Sequence, residues 1–322
     1  MLRTRVAVLR GGPSSEYDVS MTTGAVVLSA LKELGYYTTD IIITRRGEWL
    51  VNGLVKSPLI ALMTTDVVFI ALHGAYGEDG TVQKICERLK IPFTGSNSFS
   101  SALAFNKDTT KRVLRESGIK LPKHIKIKRQ EVIDIDQLVT AIELTFGHRY
   151  VLKPTTDGSS HQVIMADSVA DLKPAISTML ESLDEFMIEE RIIGTETTCG
   201  VLEKFRGEDY YTLPPIEIIP PSGHGYFSAD IKYTGETTEL CPGRFSYEER
   251  EKIITATRLV HNILGLTQYS RSDFIVKKGE VYFLEVNTLP GLTPNSLFPK
   301  STEAVGLTFK GLIDHLIRTA KI

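Results

Sequence analysis

Three cysteines in 322 residues, at positions 86, 199 and 241, are too scattered for a disulfide framework. None forms a Cys-x-x-Cys pair, so a zinc ribbon is excluded and a reducing compartment is expected. No apolar run approaches the ~20 residues of a membrane-spanning helix. The opening MLRTRVAVLRGG is interrupted by Arg10 and two glycines too soon for a signal peptide. With a net charge of only −2, neither nucleic acid nor an anionic membrane is an expected partner. Also missing is a G-x-x-x-x-G-K-[ST] loop, which excludes P-loop chemistry, and the first glycine turn is not G-x-G-x-x-G, which weakens a dinucleotide fold. What is present, 42% hydrophobic and 24% charged residues, describes a soluble, cytoplasmic globular protein of two or three domains.

The order of elements is legible from periodicity. Residues 6–9 read as a buried strand, broken by Gly11-Gly12-Pro13-Ser14-Ser15. Val19, Val26, Val27, Ala30, Leu31 and Leu34 then recur at helical spacing, with Ser14, Ser15 and Glu16 as capping chemistry and Gly35 as a stop. Residues 41–43 and 67–72 supply further strands, so strand–helix–strand order predicts an open parallel sheet. HGAYGEDG (residues 73–80) follows the third of these strands, at the carboxyl end where open α/β sheets bind ligands.

Residues 106–118 read as a helix that starts with Lys107, Lys111 and Arg112, where basic charge opposes the helix dipole unless an anion is near. The basic run at 123–129 alternates with Ile125 and Ile127, which predicts a half-buried strand with lysines outward. In RYVLKPTTDGSSHQV (149–163) a strand ends at Lys153-Pro154. A small-residue loop follows whose backbone N–H groups can cradle phosphate, with Lys153 adding a point charge, and then a return strand. The strand at 186–193 offers backbone groups to an adenine and a carboxylate to ribose hydroxyls. The Gly-, Pro- and Ser-rich stretch 220–243, which contains Lys232-Tyr233, is long enough to be a functional loop. A helix over 247–264 completes the run.

It leads into YSRSDFIVKKGEVYFLEVNTLPGLTPNS (269–296), two strand-like runs joined across Lys277-Lys278-Gly279-Glu280. Alternation puts Arg271 with Asp273 on one face, and Glu285 with Asn287 on one face. An odd-length loop makes those faces coincide and an even one separates them. Gly279, able to take a left-handed conformation, favours the odd count. On that register hard oxygen ligands converge that suit Mg²⁺, an ion that shares its shell with substrate phosphates.

Taken in order, GGPSSEYDVS, HGAYGEDGTVQ, KPTTDGSS and RSDF…EVNTLPGLTPNS resemble the signatures of the D-alanine–D-alanine ligase family of ATP-grasp enzymes, over nearly the whole chain. The resemblance implies an α/β fold, α+β in the ATP-binding part. An N-terminal open parallel domain (1–98) precedes a central small domain (99–187) and a C-terminal domain (188–322), the last two sandwiching the nucleotide. It implies ATP as co-substrate and two Mg²⁺ ions, replaceable by Mn²⁺, held by Asp273, Glu285 and Asn287. Lys107 and Lys153 are then ligands of the non-transferred phosphates, Lys232 of the γ-phosphate, and Ser160 part of the loop that covers them. Glu189 and Glu196 resemble the adenine and ribose contacts. Glu16 matches the group that holds the first D-alanine's ammonium, His73 lies near its carboxylate, Arg271 faces the oxyanion, and Ser296 holds the second substrate's carboxylate. Ser159 and Tyr233 resemble the partners that tie Glu16 to a closing lid. A homodimer is implied as well.

The chain departs from the family pattern at Asn106, Asp157, His161, Gln162, Ser228, Ala229 and Gly243. Two alternatives stay open: a ligase that accepts D-serine or D-lactate second, and a non-catalytic nucleotide-binding relative.

Overall fold

The N-terminal part of the chain runs β1 (Arg5–Gly11), α1 (Tyr17–Glu33), β2 (Tyr37–Ile43), β3 (Trp49–Val51), β4 (Leu54–Lys56), α2 (Pro58–Leu62), β5 (Val67–Ile70) and α3 (Thr81–Leu89). Val6, Ala7, Val8 and Leu9 are all buried, as a continuous apolar run must be when both faces of its sheet are covered. The strands order as β4-β3-β2-β1-β5, with β1 parallel to both β2 and β5. The antiparallel β3–β4 extension was not anticipated, although Asn52 and Gly53 between them both have positive φ, the usual chemistry of a two-residue hairpin turn. At the start of α1, Glu16 occupies the N-cap position but makes no side-chain cap bond. Ser14 Oγ instead accepts from the Glu16 N–H and donates to the His73 carbonyl, pinning the first glycine turn to the loop after β5.

The computed structural model describes residues 4–156, 162–221 and 237–322. After α4 (Ser98–Phe105) and α5 (Lys107–Leu114) come β6 (His124–Lys128), α6 (Ile135–Phe146), β7 (Tyr150–Pro154), β8 (Ile164–Ala166), α7 (Val169–Ser182) and β9 (Glu185–Glu190). These strands form an antiparallel sheet ordered β6-β9-β7-β8, and α6 and α7 cover it through Ile142, Leu172, Ile176 and Met179. Ile127 is buried against that core, whereas Ile125 remains 40% exposed, so only one of the two expected inward residues is fully covered.

The remainder comprises β10 (Thr195–Phe205), β11 (Glu208–Thr212), β12 (Ile216–Ile219), β13 (Thr238–Leu240), α8 (Tyr247–Ile263), β14 (Tyr269–Lys277), β15 (Glu280–Asn287), α9 (Leu297–Glu303) and α10 (Phe309–Arg318). Its six-stranded sheet is ordered β13-β12-β10-β14-β15, with β11 also on β10. A capping box at Ser246 and Glu249 starts α8, whose Ile253 and Val260 pack on Phe274, Val281 and Phe283. The last helix, α10, returns to the N-terminal core through Leu312, Ile313, Leu316 and Ile317. The loop after β5 meets the segment after β15, His73 Nδ1 lying 3.1 Å from the Leu289 carbonyl.

Candidate active site

The β14–β15 hairpin sets the site's geometry. Lys277 pairs with Glu280, so the turn holds two residues, Lys278 (φ 51°) and Gly279 (φ 77°). Both are left-handed, matching the twist of the strands they join. The expected odd-length loop is thus corrected to an even one. A β-bulge offsets the change: the register slips by one between Asp273 and Phe274, leaving Leu284 as the extra residue on β15. Phe274 faces Phe283 on the core side, yet Asp273 is opposite Glu285 and Arg271 opposite Asn287. Without that residue's worth of slip, Glu285 and Asn287 would point towards α8.

The four side chains gather as the sequence predicts. Arg271 grips Asp273 with two bonds of 3.0 Å, Nε to Oδ1 and Nη2 to Oδ2. Asn287 Nδ2 donates to Asp273 Oδ2 at 3.3 Å, and Thr198 Oγ1 on the neighbouring β10 donates to Oδ1 at 2.5 Å. Lys107, at the first turn of α5, lies 3.3 Å from Glu285. Burial works against the Arg271 guanidinium, but Asp273, Glu285 and Glu78 outweigh it and raise its pKa. The donor set is two carboxylates and an amide oxygen, hard ligands suited to Mg²⁺, with positions left for phosphate oxygens and water. Among the described residues no cluster of three His, Cys, Asp or Glu side chains offers a self-contained metal cage.

The second glycine-rich motif closes on this hairpin from the N-terminal side. His73 is buried; its Nε2 lies 3.0 Å from Thr23 Oγ1 and its Nδ1 3.1 Å from the Leu289 carbonyl. A carbonyl only accepts, so Nδ1 carries the proton. Burial, reinforced by nearby Arg271, brings the imidazole down to about 4 and keeps it neutral. Glu78 accepts from the Gly74 N–H at 3.0 Å and from the Leu289 N–H at 3.5 Å. One residue after β15 is therefore held by both of its backbone groups. Gly74 has φ +70°, and a Cβ there would meet Glu16 Oε2 at 2.8 Å, so Glu16 lies directly against this turn. Burial and Glu16 together push Glu78 up to about 7.

Opposite the hairpin, β7 and β9 form the other wall of a solvent-open cleft of about 1160 Å³. Lys153, Glu189, Glu196, Arg271, Asp273 and Glu285 all line it, beside apolar Ile192, Ile218, Leu284 and Leu297. A mostly apolar slot ending in clustered charges suits a flat base joined to phosphates. Glu189 is buried between two ammonium groups, Lys153 at 2.8 Å and Lys111 at hydrogen-bond contact. Ser296 sits at the N-cap of α9, its Oγ 2.8 Å from Thr293 Oγ1 and accepting from the Thr293 N–H at 3.1 Å. Ser159, Ser160, Lys232 and Tyr233, and with them Asp157, His161, Ser228 and Ala229, lie outside the described residues. Among the residues singled out as departures, Asn106 caps α5 by accepting from the Thr109 N–H.

Three residues in this neighbourhood were not assigned a role from sequence: Glu78, Thr198 and Lys111. Glu78 had a signal, its place in HGAYGEDG. Thr198 had none, its partner lying 75 residues away, and Lys111 had only its basic charge near a helix start, its partner lying 78 residues away.

The family model described as "D-ala D-ala ligase C-terminus" matches residues 113–318, and that described as "D-ala D-ala ligase N-terminus" matches residues 55–96. A D-alanine–D-alanine ligase of Leptospira interrogans is 33% identical, the match covering 97% of each chain. The structure of a D-alanine–D-alanine ligase from Bacillus anthracis complexed with ATP superposes with a TM-score of 0.80 at 32% identity, covering 98% of this chain and 97% of that one. VanG, a D-Ala:D-Ser ligase from Enterococcus faecalis, superposes with a TM-score of 0.83 at 29% identity over 99% of each chain.

Proposed function

Because the chain belongs to the D-alanine–D-alanine ligase family, we propose that it joins two D-alanines with cleavage of ATP, supplying D-alanyl-D-alanine for peptidoglycan precursors. The γ-phosphoryl group passes to a carboxylate oxygen of the first D-alanine and ADP leaves. The amine of the second D-alanine then attacks the acyl carbon of that acyl phosphate, loses a proton, and inorganic phosphate departs from the tetrahedral intermediate. The observation that carries this reading is the shared face of Arg271, Asp273, Glu285 and Asn287, the first three of which line one cleft with Lys153.

Each residue's part follows from its chemistry. Glu16, against Gly74, accepts from the first substrate's ammonium, and the neutral His73 flanks its carboxylate. Lys107 and Lys153 bind the non-transferred phosphates, Lys232 the γ-phosphate, with Ser160 in the covering loop. Arg271, preoriented by its two bonds to Asp273, donates to the developing oxyanion. Ser296 receives the second substrate's carboxylate. Ser159 and Tyr233 complete a lid that keeps water from the acyl phosphate. Glu189 and Glu196 take the base and ribose ends. Asp273, Glu285 and Asn287 hold two Mg²⁺ ions, which when bound supply charge neutralisation across the phosphates.

We also assign the chain to the cytoplasm, in keeping with three free cysteines. Among the described residues no helix is long and apolar enough to cross a membrane. For the assembly we propose a homodimer. Edge strand β4 and the segment after it expose Leu54, Val55, Leu59, Ile60 and Met63, each at least half exposed, and an isologous contact would cover them. Sedimentation equilibrium at a monomeric mass would overturn it.

The activity is tested by ADP release coupled to a panel of D-alanine, D-serine and D-lactate with Mg²⁺ and ATP. D-Alanine-dependent turnover that yields the dipeptide is expected. Preference for D-serine would move the chain towards the VanG type, and background release with every acceptor would end the ligase assignment.

A further inference from the structure

Helix α5 places two lysines one turn apart, and they serve opposite ends of the cleft. Lys107 reaches Glu285 at the metal end, and Lys111 reaches Glu189 at the other. The helix cannot shift easily: Asn106 caps it, and the Lys107 N–H donates to the Thr155 carbonyl at 2.8 Å, tying its first turn to the end of β7. Lys111 is fully buried and lies outside the cleft lining among the described residues. Lys153 and Glu189, by contrast, both line the cleft.

We propose that Lys111 is a positioning residue, the permanent counter-ion of Glu189, which leaves Lys153 able to exchange that carboxylate for a nucleotide phosphate. This rests on the reading that Glu189 faces the base and Lys153 the phosphates. The physical need is plain. A buried carboxylate deserted by its one partner is costly, and it would be deserted just as a polyanion enters the same cleft. With Lys111 in place, Glu189 stays ionised and can accept a hydrogen bond from a 6-amino group on a purine, while Lys153 turns to phosphate. Burial lowers Lys111 to about 8, a tendency opposed by Glu189. Burial likewise opposes ionisation of Glu189, but the two lysines outweigh it and hold that carboxyl well below its ordinary range. His124 on β6 and Glu285 also bear on this group of charges.

The test compares binding of ATP and of purine riboside triphosphate, which lacks the 6-amino group, by calorimetry with Mg²⁺ and without D-alanine. In Lys111→Met, Lys153 becomes the carboxylate's only ammonium partner of the two and is withheld from phosphate. Both nucleotides should then bind about tenfold more weakly or worse, with discrimination between them retained. In the double variant Lys111→Met/Glu189→Met, Lys153 is released and the base acceptor is gone. Purine riboside triphosphate should return to near wild-type affinity and ATP should lose its advantage over it. Should Lys111→Met not fold, Lys111→Gln carries the same comparison. Wild-type affinity for both nucleotides in a folded Lys111 variant would overturn the role of Lys111. Unchanged discrimination in the double variant would instead overturn the placement of Glu189 at the base, so the two failures are distinguishable.

Discussion

Glu78 offers the most direct test of how the two glycine-rich motifs and the hairpin are held together. Its carboxyl, buried against Glu16 and accepting from Gly74 and Leu289, stands at about 7 instead of 4.5. A displacement of that size corresponds to about 3 kcal/mol against the ionised form in the folded chain. The sign follows from linkage. Below pH 4.5 the group is protonated in both states and contributes no pH dependence. Between 4.5 and about 7 the unfolded chain releases the proton while the folded chain keeps it, so stability falls as pH rises, and it levels off above 7. Glu78→Gln removes the titration, at a pH-independent cost of one acceptor that becomes an amide donor. Denaturant unfolding of the nucleotide-free chain at pH 5 and pH 8 should therefore show wild type losing about 2.5 kcal/mol more than Glu78→Gln across that interval, the remainder being already lost by pH 5. Carboxyl ¹³C shifts of labelled glutamate should show one resonance titrating near neutrality that is missing from the variant. If the missing resonance titrates below pH 5, or both proteins share the same pH dependence, the account of Glu78 as a buried neutralisable clamp is wrong.

Three further outcomes are expected. Arg271→Met should cut turnover by about 10²–10³-fold, because its donors matter chiefly to the developing oxyanion, while ATP affinity stays within about threefold; equal losses in both would contradict the role. Glu285→Gln should raise the Mg²⁺ concentration for half-maximal nucleotide binding by about tenfold, readable by Mn²⁺ electron resonance in the nucleotide complex without turnover; an unchanged requirement would remove Glu285 from the metal set. Asn106→Ala should cost about 1 kcal/mol by freeing the Thr109 N–H, whereas Asn106→Asp should be close to neutral by thermal unfolding, because both side chains cap equally well.

Runs of β-branched and aliphatic residues made the parallel strands β1, β2 and β5 readable, and helical spacing did the same for α1 and α8. The β3–β4 pair escaped because each strand has only three residues, too few for periodicity, though Asn52-Gly53 was a usable turn signal. Site residues carried by motifs, His73, Lys153, Arg271, Asp273, Glu285 and Asn287, are legible because their chemistry clusters along the chain. In the sequence Lys111 is merely a basic residue near a helix start. Its meaning depends on Glu189, 78 residues on, which only the tertiary fold brings near. Glu189 itself illustrates the limit: sequence suggests what it touches in a nucleotide, not the two lysines that hold it. The hairpin is the sharper case, since no local residue preference distinguishes a regular β15 from one with Leu284 displaced.

That displaced residue also constrains how the hairpin tolerates insertions and deletions. The faces of Glu285 and Asn287 are set by the strand pairing and by the one-residue slip at 284, not by the number of residues between Lys277 and Glu280. Grafts of two, three or four residues replacing Lys278-Gly279 should therefore all preserve metal-dependent nucleotide binding, because Lys277 and Glu280 stay paired on either side of them.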